Sequence, residues 1–256
     1  MPKPTEIAAA SPSSTVVLVR DAPDAPEIYL VRRRRDASAW GGAYVFPGGV
    51  LEETDRRVSA CCRGLSEADA NRLLCVRQQG LAWYSAAIRE LFEETGVLLA
   101  DHELAPDEVA AARDALNAAS LDWQAWLQRH DVALRCDRLK YFSHWITPDI
   151  FPRRYTTRFF LARMPQDQSA GHDGVELTDA RWLSAERALI AASAGELSLR
   201  FPTIRTLEQL RPHASGDELL RWAEQCERDG VETIYPVMPD GQRRAAPQLR
   251  IVTGVE

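Results

Sequence analysis

In Arg89-Glu90-Leu91-Phe92-Glu93-Glu94-Thr95-Gly96-Val97, three carboxylates fall within one turn of a predicted helix. Counted from Glu90, the other two stand at i+3 and i+4, so all three share one helix face. Like charges that close repel, and the turn gains stability only if a cation sits among them. An all-oxygen set of donors suits a hard divalent ion, Mg²⁺ or Mn²⁺. Alone, such an acidic turn is more often a solvated face, so the surrounding sequence has to decide. The helix is predicted over 84–95, with Gly96 as a left-handed terminator.

Upstream lies Gly42-Ala43-Tyr44-Val45-Phe46-Pro47-Gly48-Gly49-Val50-Leu51, a β-prone apolar run closed by Pro-Gly-Gly. That ending predicts a loop whose glycines let backbone come close to a ligand or metal. Together the two stretches resemble the Nudix box, G-x5-E-x7-R-E-U-x-E-E-x-G-U, where U is a bulky aliphatic residue. Arg89, Glu90, Leu91, Glu93, Glu94, Gly96 and Val97 fill every specified position of its second half, and Gly49 begins the first. Two departures stand out. Asp55 occupies the position of the first Glu, and the interval from Asp55 to Arg89 is 34 residues where the pattern has 8, so 26 are inserted. The insert, about 56–82, contains Ser66-Glu67-Ala68-Asp69, which predicts a capped helix start continuing over 70–79. A loop insertion leaves the ends of a motif close in space at modest entropic cost, and both halves keep their chemical groups.

An interrupted box of this kind is similar to the Nudix branch, Nudix hydrolase nineteen-like, that cleaves the diphosphate of coenzyme A and acyl-CoA. That branch carries "HVFPGGV…D", a long insert, then "AIRE-FEE-GVLL". Here the matching residues are 44–50 and Ala87-Ile88-Arg89-Glu90-Leu91-Phe92-Glu93-Glu94-Thr95-Gly96-Val97-Leu98-Leu99. His144-Trp145-Ile146-Thr147-Pro148 with Arg153-Arg154-Tyr155-Thr156-Thr157-Arg158-Phe159-Phe160 resembles the branch's "W-TP…RRFDT-F", and Arg181-Trp182-Leu183-Ser184 its "RWLS" strand. The resemblance spans roughly 14–210. It implies an α/β Nudix sandwich, helices on both faces of a mixed β-sheet, with the helical insert lodged inside the box.

The chemistry expected follows from the resemblance and from the residues. Glu90, Glu93 and Glu94, joined by the Gly49 carbonyl, are the expected metal ligands for Mg²⁺ or Mn²⁺. Arg89 is implied as the brace of loop and helix, with Asp55 as its shorter carboxylate partner. Catalysis is expected of Glu90 and Glu93, with Arg89 behind them and Glu176 as the base, on the Gly-flanked loop Gly171-His172-Asp173-Gly174-Val175-Glu176. His172 and Asp173 are weaker candidates for that role. For substrate binding the expectations are Arg32 and Arg34 from the run Arg32–Arg35, Phe46, and Arg154 from a second basic cluster with Arg153 and Arg158. Guanidinium forks suit phosphate oxygens. Gly42-x3-Phe46-Pro47-Gly48-Gly49 matches a coenzyme A recognition motif of other Nudix enzymes, but Ser38 stands where that motif has Arg. Trp40, Tyr44 and Trp145 are the aromatics available to stack on adenine, although strand aromatics are more often core.

A chain of 256 residues with 45% hydrophobic and 27% charged residues is that of an ordinary globular protein. No apolar run approaches the roughly 20 residues of a membrane helix, and the first 13 residues, rich in Pro, Ala and Ser, read as a disordered tail without a secretory h-region. With no Ser-Lys-Leu ending either, a cytoplasmic location is expected. Five cysteines without a CxxC pair read as reduced thiols. A net charge of −6 argues against nucleic-acid binding by phosphate neutralisation.

Predicted strands are 15–19 and 27–31, then 139–146 and 155–162 as a pair, then 180–183 followed by a helix capped by Ser184. Helices are predicted over 106–119, 121–130, 203–210 (Pro202 at its start) and 217–227. A hairpin of 232–237 with 243 onward is predicted around Asp240-Gly241. The Nudix domain is thus expected over 14–212, with 213–256 as a C-terminal helix-hairpin extension packed on the same domain. The leading expectation is hydrolysis of CoA or acyl-CoA to 3′,5′-ADP and 4′-phosphopantetheine by a monomer or homodimer. ADP-ribose or NADH is the alternative substrate, and a non-catalytic ligand-sensing module the alternative class.

Overall fold

The computed structural model describes residues 8–36, 41–174, 176–237 and 248–252. The apolar runs near the start become strands β1 (Ala10–Arg20) and β2 (Glu27–Arg33), followed by short β3 (Tyr44–Val45) and β4 (Gly48–Val50). Next come β5 (Cys62–Arg63), α1 (Glu67–Leu74), α2 (Gly80–Thr95) and β6 (Ala100–Asp101). They are followed by α3 (Pro106–Asn117), α4 (Trp123–Arg129), β7 (Ala133–Arg135), β8 (Lys140–Ile146) and β9 (Arg154–Arg163). The described chain closes with β10 (Leu177–Ser184), α5 (Ala185–Ser193), α6 (Phe201–Leu210), α7 (Gly216–Asp229), β11 (Thr233–Val237) and β12 (Gln248–Val252).

The main sheet runs β10-β2-β1-β9-β8-β11-β12, with β3 beside β2 and β4 beside β1. It is mixed: β1–β9 and β8–β11 are parallel, and the other pairs are antiparallel. Side chains alternate between its faces. Val16, Leu18, Tyr29, Val31 and Phe160 pack on one face under Tyr84, Ile88, Leu91 and Phe92 of α2. Val17, Val19, Ile28, Leu30 and Phe159 pack on the other against Ala188, Leu207 and Leu219 of α5, α6 and α7. This is the expected α/β/α sandwich. A small second sheet, β5-β7-β6, lies beside it.

Several element ends differ from expectation. β1 begins at Ala10, and residues 10–13, expected in the tail, pair in parallel with 154–157 of β9; residues 1–7 lie outside the described residues. Helix α1 stops at Leu74, where Cys75 takes a left-handed conformation, instead of continuing to 79. Helix α2 starts at Gly80, four residues before the expected 84. The reason is a cap supplied from elsewhere: the Gly80 N–H is accepted by Glu67 Oε1 (2.8 Å) and Asn71 Oδ1 (2.7 Å), both from α1. The Ser66 and Ser184 caps form as expected, accepting from Asp69 and Arg187 amides. The Asp240-Gly241 turn lies outside the described residues, and its second strand begins at Gln248.

Beyond α6, β11 joins the sheet with Thr233 opposite His144. Helix α7 covers β8, where Phe142 meets Trp222 and Glu227 Oε1 accepts the Tyr141 N–H at 2.7 Å. Among the described residues no helix is long and apolar enough to cross a membrane.

Candidate active site

The acidic turn of α2 sits over the Gly48-Gly49 loop, and Arg89 ties the two together. Its Nε donates to both oxygens of Asp55 (3.1 and 3.3 Å), and its Nη2 donates to Asp55 Oδ2 and to the Val50 carbonyl, each at 3.0 Å. Asp55 and Arg89 are 1% and 2% exposed, and Asp55 also accepts from Ser85 Oγ (3.1 Å) and the Glu52 amide (2.9 Å). The shorter side chain reaches because Thr54–Arg57 forms a 3₁₀ turn that carries Asp55 inward. The insert therefore leaves the two halves of the box joined. The remaining Arg89 nitrogen, Nη1, meets Glu90 at 2.9 Å and Glu93 at 3.5 Å.

The loop approaches α2 too closely for a side chain at Gly49. A Cβ there would fall 2.4 Å from the Glu90 carboxylate. Next to it the Gly48 N–H donates to Glu94 Oε2 at 2.9 Å. Burial pushes the Glu90 carboxyl up to about 7, with nearby Glu93 adding to the rise and Arg89 opposing it. Burial likewise raises Glu94 well above the usual carboxylate range, and Glu90 adds to it. Glu93 is raised by burial and by Glu176, Glu52 and Asp173. The carboxylates of Asp55, Glu90 and Glu93 thus surround one arginine, while Glu94 is turned to the Gly48 amide. As they stand, no three His, Cys, Asp or Glu side chains among the described residues are gathered closely enough to hold a metal ion; Glu90 is drawn to Arg89 and Glu94 to the Gly48 amide. The donor chemistry nonetheless fits a hard divalent cation: the donors are all oxygen, and negative charge is in excess at a buried position.

The loop carrying Glu176 lies against this helix end. Asp173 folds it by accepting from the Glu176 amide (3.3 Å) and the Leu177 amide (3.0 Å). That is a structural role for a residue expected as a weaker base candidate. Glu176 meets Arg33 at 3.7 Å, and Arg33 in turn lowers the Glu94 pKa. Arg33 shares the α2 face of β2 with Tyr29 and Val31, whereas Arg32 and Arg34 share the opposite parity. The arginine facing the carboxylates is therefore Arg33, which the sequence reading did not single out. Ile28-Tyr29-Leu30-Val31 is apolar at every position, because both faces of β2 are buried, so no alternation marks which arginine points where.

A family model described as the NUDT19 Nudix domain matches residues 67–210, more than half of the chain. The chain belongs to the Nudix hydrolase family. It is 26% identical over 188 residues to a putative nudix hydrolase 7 of Caenorhabditis elegans, covering 72% of this chain and 55% of that protein. It is 25% identical over 253 residues to a Xenopus laevis protein named acyl-coenzyme A diphosphatase NUDT19, covering 83% and 67%. The chain thus spans between about half and two thirds of the length of these relatives. Among solved structures, a Nudix hydrolase from Alicyclobacillus acidocaldarius aligns with a TM-score of 0.70 at 26% identity, covering 84% of this chain and 97% of that one.

Within this Nudix domain each residue expected to bind substrate has partners inside the protein. Phe46 is buried on the face away from the Nudix helix, edge-on to Phe159. Arg154 is held by the Thr147 carbonyl (3.0 Å), the Ala8 carbonyl (2.8 Å) and Asp149 (2.5 Å). Arg32 donates to Thr178 Oγ1 at 3.1 Å, and Arg34 pairs with Asp36. Arg158 is buried under the Trp83 ring (3.8 Å) and donates to the Leu74 carbonyl. Trp145 is core, against Phe201, and Tyr44 is buried with its hydroxyl donating to Asp179; Trp40 lies outside the described residues. Phe46, Trp145 and Arg158 are thus taken into the core, while Arg32, Arg34 and Arg154 have hydroxyl, carbonyl or carboxylate partners nearby. Cys61, Cys62 and Cys136 are buried thiols.

Proposed function

We propose that this Nudix domain hydrolyses the diphosphate of a nucleoside diphosphate derivative, CoA or acyl-CoA, to 3′,5′-ADP and (acyl-)4′-phosphopantetheine. The observation that carries the reading is the excess of buried carboxylate on one face of α2, braced by the Arg89–Asp55 pair across an interrupted box. The names of the Xenopus relative and of a 23% identical human relative, both acyl-coenzyme A diphosphatase NUDT19, support the substrate class.

Glu90, Glu93 and Glu94 would hold Mg²⁺ or Mn²⁺, with the Gly49 carbonyl as a further oxygen donor. When bound, the ion supplies charge neutralisation for the diphosphate oxygens and acidifies a coordinated water. The chain's own groups do the rest, and in phosphoryl transfer that is chiefly positioning and electrostatics. Arg89 fixes the Glu90 carboxylate and the loop. Arg33 offers a guanidinium to a phosphate oxygen from the sheet side. A Glu176 carboxylate oxygen takes the proton from the attacking water, within reach of Arg33.

The test is a Mg²⁺- and Mn²⁺-dependent hydrolysis panel with CoA, acetyl-CoA, a long-chain acyl-CoA, NADH and ADP-ribose, with products resolved by mass. Release of 3′,5′-ADP at the best rate from the CoA compounds is expected. Preference for NADH or ADP-ribose would overturn the substrate class but keep the bond class. Glu93→Gln is expected to abolish metal-dependent turnover with an unchanged circular-dichroism spectrum; near-normal activity would remove Glu93 from the ligand set.

A further inference from the structure

Arg113 stands outside every motif in the sequence, yet it holds two parts of the candidate site together. It lies on α3, and its guanidinium donates to three backbone carbonyls: Nε to Glu93 (3.0 Å), Nη2 to Glu94 (2.9 Å) and Nη2 to Gly171 (2.8 Å). The Gly171 N–H returns to the Thr95 carbonyl at 2.9 Å. These bonds satisfy the last carbonyls of α2, which lack partners within the helix. In the same stroke they pin the start of the 171–176 loop to the helix. Two residues on, Asp173 closes that loop onto the amides of Glu176 and Leu177, and Glu176 meets Arg33 at 3.7 Å on the sheet side.

We propose that Arg113 is a positioning residue for hydrolysis: it fixes Gly171 against the C-terminal end of α2 and so sets where Glu176, further along the same loop, stands relative to Glu93. This rests on α2 being the catalytic helix. A cation at a helix C-terminus stabilises the helix whatever the helix does, so stability alone does not distinguish positioning from simple capping. Dependence on Glu176 does. A misplacement of about 1 Å at reacting groups costs up to about a hundredfold in rate, and groups that act as a unit show non-additive losses.

The experiment compares wild type, Arg113→Met, Arg113→Lys, Glu176→Gln and the double variant Arg113→Met/Glu176→Gln in kcat and KM for the best diphosphate substrate. Alongside it, amide hydrogen exchange is followed over 171–176. Arg113→Met is expected to lower kcat about tenfold or more with KM within about twofold, and to accelerate exchange in the loop. In the Glu176→Gln background the same change is expected to lower kcat less than about twofold. Arg113→Lys keeps the cation at the helix end but loses the planar fork. It is expected to stay folded and to remain slow, which keeps the test open should Arg113→Met fail to fold. A wild-type kcat in both Arg113 variants, losses that multiply independently of Glu176, or unchanged loop exchange would overturn the proposal. Absence of turnover in wild type on every diphosphate would instead overturn the catalytic reading, while exchange would still report whether Arg113 holds the loop.

Discussion

Asp55 stands where the box pattern has Glu, and the structure shows why the shorter acid serves: a 3₁₀ turn carries it to Arg89, with Ser85 and the Glu52 amide completing its bonds. Removing one member of a buried ion pair leaves the other charge uncompensated, at a cost of about 3–5 kcal/mol. Asp55→Ala is expected to lose that much, read as the shift of a urea unfolding curve. Asp55→Glu restores the pattern but adds a methylene to a filled site, and is expected to cost about 1–3 kcal/mol. His144 gives a second prediction at this scale. It bridges Thr233 (2.8 Å) and Thr156 (2.7 Å) in the middle of the sheet. Burial, helped by Arg158, lowers its pKa from 6.5 to about 3. The unfolded chain therefore binds this proton at a higher pH than the folded protein does. The stability tied to neutral His144 is complete above about 6.5 and is lost as pH falls toward 3, with a slope of up to about 1.4 kcal/mol per pH unit. Urea midpoints of wild type and His144→Gln at pH 7, 5 and 4 check this. The variant's acid limb is expected to be shallower, and parallel limbs would rule His144 out as its source.

Helix α2 is held at both ends by side chains from other helices. Glu67 and Asn71 of α1 cap its first amide, and Arg113 of α3 takes its last carbonyls. Its own sequence offers neither device at the N-terminus, since Gln79 makes no side-chain cap. Loss of a cap typically costs about 1 kcal/mol, and the double variant Glu67→Ala/Asn71→Ala is expected to lower stability by about 1–2 kcal/mol. Its turnover per folded molecule should stay close to wild type, because the cap lies at the end of α2 far from Glu93. Gly49 belongs to the same element-level fit. Gly49→Ala would drive a Cβ into the Glu90 carboxylate, which can rotate away. The variant is expected to fold normally and lose metal-dependent turnover. Normal turnover would mean that Glu90 need not occupy its present position.

At the scale of the whole molecule, the insert inside the box is part of the core. Val58, Cys61, Cys62, Ala70 and Leu74 are buried with α2, and the Leu74 carbonyl accepts from the buried Arg158. Trimming 56–82 is therefore expected to lower the thermal midpoint steeply or prevent folding, rather than redirect substrate choice. A trimmed protein with a normal midpoint and an altered substrate profile would assign the insert to the pocket. How much of this was open to the sequence follows from what kind of signal each part leaves. The acidic turn, its Gly96 terminator, the Gly48-Gly49 loop, the Ser66 and Ser184 caps and the order of the longer strands and helices are local patterns, set by spacing, φ preference and short-range hydrogen bonds, and the sequence by itself determined them; the short strands β4, β5, β6 and β7 left no such signal. Which arginine faces the carboxylates was not open to it, because β2 is apolar on both faces and its parity is decided only when α2 covers one side. The roles of Arg113, of Glu67 and Asn71 toward α2, the burial of Phe46 and Arg158, and the carbonyl and Asp149 partners of Arg154 were likewise decided by the tertiary structure. Each depends on contacts between residues distant in the chain, and a side chain's partner at such a distance is chosen by how the layers pack, not by anything in its own neighbourhood.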